Sequence, residues 1–505
     1  MEGLAWAVSD GATTLAETAP RFKRGRFDGL PRRRYSRRTL RPSMRLFHHP
    51  VGGHARLSTS AVRFLDYVER RPELLQRAHF KGLLDPDFQF QGLQPWPTFL
   101  SAATASEIAG FVTTMDRLIK GIPARVFGND PGAIASFFGL AETDVRLILH
   151  RPAAMESAIS RPDYMLTPEG FKFMEVNVGS HLEGWHLSAI AGNYAKEEAI
   201  QDFMGEQGIT ASQVNTTRTV LAHFIRAVVS QPHFEGDEVN LGIAVPSAGS
   251  GFDGYFSQRV LSEEFAAALD AARTGLRGRC ILCPAGGLKA VGSAIHAEGV
   301  RLHALYDQTP LPPEVYRSVF RASMARGVEF LSGLGTILLS DKRMLAILSD
   351  PERSPALTVD ERQFVERYVP WTRVLAEAST GYRGREVRLP ELALSARDSL
   401  VLKRGQSTKQ ADIFIGPATK AHAWEAAVRH ALAEGCWIVQ EFLGAEPLYY
   451  QYGLDGYTLQ NVVFASFAVG GAYAGNWLRI MPTEAKGPIN RSHGADIGLC
   501  LETRD

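Results

Sequence analysis

The segment RPDYMLTPEGFKFMEVN, residues 161–177, places a turn signal, TPEG, between two runs that read as β-strands. Pro168 and Glu169 fit the central positions of a type I turn, and Gly170 fits the left-handed position that completes a three-residue loop. A loop this short joins antiparallel neighbours. The segment therefore predicts a β-hairpin, which is the strongest constraint that the sequence places on the fold.

The predicted loop determines which residues of the two strands face each other. Because side chains alternate along a strand, the pairs on one face are Thr167–Phe171, Met165–Phe173, Asp163–Glu175 and Arg161–Asn177. Two facing carboxylates destabilise a hairpin unless a cation lies between them. Oxygen ligands of this kind suit Mg²⁺, and an arginine beside them suits a phosphate oxygen. A solvated hairpin whose arginine only neutralises a carboxylate is an equal alternative.

The whole-chain composition is that of a water-soluble globular protein. The chain has 505 residues, 45% hydrophobic and 22% charged, which predicts two or three packed units. It holds no uninterrupted apolar run of the roughly 18 residues that a membrane span needs. Its 4 cysteines are too few for a disulfide framework. These features predict a cytoplasmic protein without a membrane segment.

The N-terminal residues differ from the rest in charge. Residues 21–45 contain eleven Lys and Arg but one Asp. Such a basic arm can bind nucleic acid or an acidic partner. Because no RNA-binding motif or aromatic platform accompanies the charge, we expect a disordered leader and no nucleic-acid partner.

The pattern of apolar residues divides the remainder of the chain. Helical spacing dominates until VNLGIAVP, after which strand and helix signals alternate as in a small parallel sheet. Cys280 and Cys283 of RCILCP fall on opposite faces of a predicted strand, which favours buried thiols over a metal site. The predicted regions are a basic arm (1–45), a helical region carrying the hairpin (46–235), a small α/β domain (236–330) and a nucleotide-binding region (331–505).

The last region begins with strand signals in LVLKRG and IFIG, followed by a helix in TKAHAWEAAVRHALAEG and a strand in CWIVQEFL. Thr419 suits the N-cap of that helix, and Gly435 suits its end.

Taken together, these segments resemble the circularly permuted branch of the ATP-grasp ligases, which includes glutathionylspermidine synthetase-like proteins. RPDYML and FKFMEVN match an Arg-x-Asp pattern followed by a strand that ends in Glu-x-Asn. They precede LLSDKRMLAILSD, LVLKRG and WIVQEFL, which resemble the family's two lysine segments and its adenine hinge. The resemblance implies an ATP-grasp fold of the α+β or α/β class, circularly permuted, with a preceding small α/β domain and a helical N-terminal region.

The resemblance also implies a role for particular residues. The implied Mg²⁺ ligands are Asp163, Glu175 and Asn177. The implied ATP contacts are Lys342, Lys403, Gln440, Glu441 and Leu443, with Glu446 as a ribose contact and Lys409 as a donor in a flap poor in glycine. The groups implied to act on the reacting phosphoryl group are Arg161, Arg479 and Asn490.

The implied chemistry is an ADP-forming carboxylate–amine ligation through an acyl phosphate, acting on a small carboxylate and a small amine or a short peptide. The segment VGSHLEGWHLSAI follows the hairpin, where such ligases contact the acceptor. Its candidates to bind or deprotonate an amine are His181, Glu183, Trp185 and His186, although packing roles are as well supported for each. Two alternatives remain: phosphate transfer to an alcohol, and a nucleotide-binding scaffold without turnover. The sequence predicts neither the substrates nor the oligomeric state.

Overall fold

The fold is described from a computed structural model, which covers residues 52–71, 73–74, 92–150, 152–247, 256–272, 275–330, 335–407, 412–451, 457–485 and 487–504. The predicted basic arm and Lys409 lie outside these residues. Among the helices of the described chain, none combines the length and the apolar content needed to cross a membrane.

Helices form where apolar residues recur every three and four positions, because that spacing gives each helix one apolar face. Two segments with this spacing, VLAHFIRAVV and QRVLSEEFAAALDAA, lie within helices of the structure. In chain order the helices are α1 (Gly52–Leu57), α2 (Thr59–Glu69), α3 (Ala102–Phe127), α4 (Pro131–Phe138), α5 (Glu142–Leu149), α6 (Pro152–Ser157), α7 (Ser188–Ala191), α8 (Glu198–Gln207), α9 (Thr216–Val229), α10 (Gln258–Ala272), α11 (Pro313–Met324), α12 (Gly335–Leu339), α13 (Arg343–Ser349), α14 (Val359–Tyr368), α15 (Leu389–Ser395) and α16 (Ala421–Glu434).

Strands occupy both the predicted segments and several that the sequence did not reveal. In chain order they are β1 (Thr98–Ser101), β2 (Ser160–Thr167), β3 (Gly170–Val178), β4 (Thr210–Ser212), β5 (Leu241–Val245), β6 (Cys280–Pro284), β7 (Lys289–Val291), β8 (Ala294–Ala297), β9 (Val300–Leu302), β10 (Ala304–Asp307), β11 (Glu329–Phe330), β12 (Thr372–Val374), β13 (Ser379–Tyr382), β14 (Arg385–Arg388), β15 (Leu400–Arg404), β16 (Ile413–Ile415), β17 (Trp437–Glu441), β18 (Leu448–Gln451), β19 (Tyr457–Val469), β20 (Ala472–Pro482) and β21 (Asp496–Arg504).

The largest sheet joins the predicted hairpin to the C-terminal strands. Its order is β1-β21-β20-β19-β2-β3, with β18 beside β19 and β4 beside β21. Its buried face packs on α3, where the ring of Phe111 lies 4.8 Å from that of Tyr164. The hairpin therefore belongs structurally with residues 457–504 and not only with the helices that surround it in sequence.

Two smaller sheets complete the framework of the site. The order β11-β10-β5-β6 is entirely parallel, which confirms the predicted small parallel sheet. Cys280 and Cys283 on β6 are buried in two different apolar clusters, as expected for opposite faces. The order β12-β17-β15-β16 is antiparallel and carries the predicted lysine and hinge strands.

The predicted start of α16 is wrong by one residue. Lys420 is the N-cap, and the hydroxyl of Thr419 instead donates to the carbonyl of Ile415 at 2.8 Å. The predicted end is confirmed, because Gly435 adopts a left-handed conformation with φ of 70°.

The hairpin is confirmed, but its loop differs from the prediction. Thr167 pairs with Gly170, so the loop contains only Pro168 and Glu169, and the predicted Thr167–Phe171 pair is wrong. Nearer the open end, Met174 is an extra residue on β3 that forms a β-bulge.

The bulge restores the register that the loop had shifted. The predicted pair Met165–Phe173 is wrong, because Met165 faces Lys172. Beyond the bulge, however, Asp163 faces Glu175 and Arg161 faces Asn177, as predicted. The polar pairs at the open end are therefore confirmed, although the prediction reached them through a different loop.

Candidate active site

Asp163 lies at the centre of the polar end of the hairpin. Arg161 donates to it through Nε to Oδ1 at 2.9 Å and through Nη2 to Oδ2 at 3.1 Å. Arg479 reaches it from β20, with Nη2 at 2.5 Å from Oδ2. Asp163 is 1% exposed, so a buried carboxylate holds two guanidinium groups in fixed positions.

Glu175 has a different environment on the neighbouring strand. The amide of Asn177 lies 3.4 Å from its Oε1, and Nζ of Lys342 lies 3.8 Å from its Oε2. Burial alone would raise the pKa of Glu175, but Lys342, Lys403 and the two arginines outweigh it and lower that pKa to about 2. Glu175 is therefore ionised at neutral pH, and 24% of its side chain is exposed.

The bulge at Met174 contributes directly to the position of Lys403. Nζ of Lys403 donates to the carbonyl oxygen of Met174 at 2.9 Å and to Oε1 of Gln440 at 2.8 Å. Burial lowers the pKa of Lys403 to about 8, and the nearby Glu175 only partly opposes that shift. Thr372 in turn orients Gln440, because the side-chain amide of Gln440 donates to the Thr372 hydroxyl at 3.1 Å.

Lys342 lies immediately before α13 and connects the hairpin to the loop after β15. Its backbone N–H donates to the carbonyl of Gly405 at 3.0 Å, and its Nζ donates to the carbonyl of Ser407 at 2.8 Å. The lysine of one predicted segment therefore contacts the loop that follows the other, next to Glu175.

The cationic side chains outnumber the carboxylates at this point. Arg161, Arg479, Lys342 and Lys403 surround Asp163 and Glu175, an excess of two positive charges among these six side chains, and Glu183 is a further acid near Arg161. Arg479 also has a buried Nε that has no hydrogen-bond partner in the described part of the chain. The cluster is suited to an anion that offers several oxygens.

The donor set also fits Mg²⁺ that is shared with a polyphosphate. Among the described residues, no three His, Cys, Asp or Glu side chains gather into an all-protein metal site. Mg²⁺ in nucleotide sites needs only one or two carboxylates, and phosphate and water complete its coordination. Glu175 is the better placed carboxylate, because both oxygens of Asp163 already accept from arginines.

The predicted hinge follows this cluster along β17. The backbone N–H of Glu441 donates to the carbonyl of Trp371, and that of Phe442 donates to the carbonyl of Ser399, both at 2.8 Å. The Glu441 carboxylate accepts from Arg383 at 2.6 Å. Leu443 follows, half-buried, at the exit of the strand.

Two other predicted residues have contacts of their own. Glu446 pairs with Arg56 at 2.5 Å, and its backbone N–H donates to the carbonyl of Leu166 near the hairpin turn. Asn490 caps a short turn, where its Oδ1 accepts from the backbone N–H of His493 at 3.1 Å.

Two of the four residues predicted to bind or deprotonate the amine substrate are buried in the protein. Trp185 and His186 are each 1% exposed, and the His186 ring lies 4.2 Å from that of Phe256. Burial lowers the pKa of His186 to about 3, so this histidine is neutral and packs as part of the core. The carbonyl of Glu183 accepts from Nη1 of Arg161 at 3.2 Å, whereas the His181 side chain is 42% exposed.

The structure adds residues that the sequence reasoning missed. Tyr306, Asp307 and Gln308 contact the loop that carries the acceptor candidates. The apolar run ALYD, which ends in an acid, is the local signal that a strand terminates there, but its partner loop is more than 120 residues away in sequence.

No family model and no curated protein matches this chain. Its structure is similar to that of a glutathione synthetase-like effector, GSS30, from Globodera pallida in the apo form. The TM-score is 0.54 at 12% identity, over 86% of this chain and 96% of that one. A putative gamma-glutamylcysteine synthetase from Methylobacillus flagellatus KT has a TM-score of 0.33 at 11% identity, over 78% of this chain and 88% of that one. By its likeness to the first of these structures, the chain has a mixed α/β fold of the glutathione synthetase-like kind.

Proposed function

We propose that this protein is an ATP-dependent, ADP-forming carboxylate–amine ligase. The observation that carries the proposal is the cluster at the end of the hairpin, where four cationic side chains surround two facing carboxylates and leave an excess of positive charge. Mg²⁺–ATP would supply the phosphoryl group that activates the carboxylate, together with the negative charge that balances this excess.

The arrangement of the segments supports a circularly permuted ATP-grasp fold. The hairpin comes first in the sequence, yet it pairs with β19 and contacts Lys403 of a strand that follows much later. The likeness to the glutathione synthetase-like effector concerns the same overall fold. We therefore expect ATP between the hairpin sheet and the sheet of β12, β15, β16 and β17.

In this mechanism the protein acts by position and charge. Lys342 and Lys403 would neutralise phosphate oxygens, and Arg479, which Asp163 holds in position, would add positive charge where the phosphoryl group gains negative charge. Glu175, with Asn177, would hold Mg²⁺, while Asp163 fixes the two arginines. At the far end, the carbonyl of Glu441 and the amide of Leu443 would meet the adenine edge. We expect the reaction to take place in the cytoplasm.

A hydroxylamine trap tests the proposal. The full-length protein is incubated with Mg²⁺–ATP, hydroxylamine and each member of a panel of amino acids and dicarboxylates, and ADP and hydroxamate are quantified. An acyl phosphate gives hydroxamate in proportion to ADP. The absence of both products with every carboxylate, despite Mg²⁺-dependent ATP binding, would overturn the ligase proposal.

One observation favours a scaffold without turnover as the second candidate. Both lysines already donate to groups of the protein, Lys342 to the Ser407 carbonyl and Lys403 to Met174 and Gln440. A protein that only binds nucleotide would bind Mg²⁺–ATP but form neither ADP nor hydroxamate. Phosphate transfer to an alcohol would instead give a stable phosphorylated product.

A further inference from the structure

The loop between β3 and α7 joins the proposed ATP site to the small parallel sheet. On one side, Arg161 donates to the carbonyl of Glu183. On the other, the loop lies against the carboxyl end of β10. In parallel α/β sheets this end is where ligands bind, because the loops there diverge and leave a crevice.

Three consecutive residues at that end, Tyr306, Asp307 and Gln308, hold four positions of the loop. The hydroxyl of Tyr306 accepts from the backbone N–H of Leu182 at 3.3 Å and donates to the carbonyl of Gly179 at 3.2 Å. Oε1 of Gln308 accepts from the indole N–H of Trp185 at 2.9 Å. The loop therefore has a defined position relative to the sheet.

Asp307, the middle residue of the three, holds His181 in two ways. Its carbonyl accepts from the His181 backbone N–H at 3.2 Å, and its carboxylate Oδ2 lies 3.7 Å from the ring Nε2. Asp307 is 4% exposed, whereas the His181 side chain is 42% exposed. A buried acid thus faces one nitrogen of a ring that is partly exposed.

The backbone of His181 is also strained. Its φ is 60°, in the left-handed region that residues with a Cβ rarely adopt and that costs about 1–3 kcal/mol. The contacts with Asp307 and Tyr306 over-determine this conformation, as is typical of functional positions.

We propose that His181 is the general base that takes a proton from the attacking amine, and that Asp307 is the positioning residue that orients its ring. This inference rests on the proposed ligase function and assigns the residues of its second half-reaction. With Nε2–H directed at Asp307, the lone pair of Nδ1 is left for the amine. The distance of 3.7 Å is an ion-pair contact that we expect to shorten when substrate is bound.

The proposed step joins the amine to the activated carboxylate. The substrate arrives as an ammonium ion and first gives one proton to Nδ1 of His181. The free amine nitrogen then attacks the acyl carbon of the acyl phosphate and forms the C–N bond, while the C–O bond to phosphate breaks. Inorganic phosphate leaves with the second proton that the nitrogen loses. The first of these two protons converts the His181 ring to an imidazolium. The resulting imidazolium is stabilised by the Asp307 carboxylate and returns its proton to solvent.

The charged and titratable groups around His181 come from several elements. Asp307 faces it from β10, with Tyr306 beside it, and Glu183 lies on the same loop. Arg161 lies on the side of the ATP site. The Asp307 carboxylate is thus the acid that faces the His181 ring.

The test separates amines that need a base from a nucleophile that does not. Hydroxylamine is largely unprotonated at neutral pH, so it attacks the acyl phosphate without a prior deprotonation, and solvent can take the proton that it loses afterwards. Ethylamine and ammonia arrive as ammonium ions and must lose a proton before they can attack. We expect His181→Gln to lower amide formation from these amines by about 10²-fold or more and to leave hydroxamate formation within about threefold of the wild type. Asp307→Asn should show the same split, and Asp307→Glu should partly restore amide formation.

Matched controls carry the same chemical changes at exposed positions. His422→Gln on α16 and Asp270→Asn on α10 should leave both products unchanged. Loss of hydroxamate and amide together in His181→Gln, with a folded protein by circular dichroism, would overturn the base assignment, as would unchanged amide formation. If the wild type gives no hydroxamate with any carboxylate, the proposed function fails, and this inference fails with it.

Discussion

The two strands of the hairpin present acids that face each other but differ in their surroundings. Asp163 on β2 is almost fully buried and bonded to two arginines, whereas Glu175 on β3 is about one-quarter exposed and has a lysine at ion-pair distance. The first carboxylate holds cationic groups in position. The second carboxylate, that of Glu175, remains accessible to a ligand that enters the proposed ATP site.

This difference shows how one hairpin separates structural and chemical roles. A buried acid holds two guanidinium groups in fixed positions but cancels only one of their two positive charges. The three side chains together therefore leave one positive charge in the site. The more exposed acid can then accept a metal that arrives with its polyphosphate. A substitution of Asp163 should therefore lower mainly the stability of the protein, whereas a substitution of Glu175 should lower mainly its turnover.

The largest effect on stability is expected for Asp163→Asn. The change removes the carboxylate that accepts from both Arg161 and Arg479 in a buried site, and we expect a loss of about 3–5 kcal/mol in the free energy of unfolding. Urea unfolding measures it, with the exposed change Asp270→Asn as the control, which should stay within about 0.5 kcal/mol. A loss below about 1 kcal/mol would show that Asp163 does not hold the arginines together.

Glu175→Gln should separate chemistry from stability. The amide keeps the size of the side chain but removes the charge that a metal needs, so ADP release should fall by at least about 10²-fold while the fold is retained. Metal-free ATP should bind at least as well, because the cluster becomes more positive. The control is Glu169→Gln, at the turn of the same hairpin with 72% of its side chain exposed. Equal turnover in Glu175→Gln and the wild type would refute the metal assignment.

The pH dependence of the free energy of unfolding should depend on Lys403, whose Nζ donates to the carbonyl oxygen of Met174 at the bulge. Its folded pKa, about 8, is below its ordinary value of 10.5, so between these pH values the unfolded chain binds the proton that the folded chain has lost. Stability of the wild type relative to Lys403→Met should therefore rise as pH increases from about 8 to 10.5. Lys420→Met, at an exposed position, should give a curve parallel to the wild type. If Lys403→Met is also parallel, the lysine is not buried in this way.

Local sequence patterns predicted the elements better than their junctions. The alternation of apolar residues gave the hairpin, the parallel sheet and α16, because each pattern depends on burial of one face of an element. The loop of the hairpin and the cap of α16 were both wrong by one residue. A cap and a loop depend on single hydrogen bonds, such as that between Thr419 and the Ile415 carbonyl, which several neighbouring residues can make.

The contacts that build the site join residues far apart in the chain. Arg479 and Asp163 are separated by 316 positions, and only the family resemblance, not the spacing of the residues, linked them. The Met174 bulge was not predicted, because no residue in FKFMEVN marks it. Asp307 was missed for a similar reason, since its role depends on a loop that another part of the chain brings to the end of β10.

The smallest effect is expected where the turn of the hairpin contacts the segment after β17. Arg56 donates both to the Thr167 carbonyl and to the Glu446 carboxylate, and the two side chains are 35% and 22% exposed. A double-mutant cycle with Arg56→Gln and Glu446→Gln should give a coupling of about 0.2–1 kcal/mol by urea unfolding, because solvent screens such pairs. The KM for ATP decides the remaining question. If Glu446 only holds the turn, Glu446→Gln and Arg56→Gln change this KM equally, whereas a selective rise in Glu446→Gln would restore the predicted ribose contact.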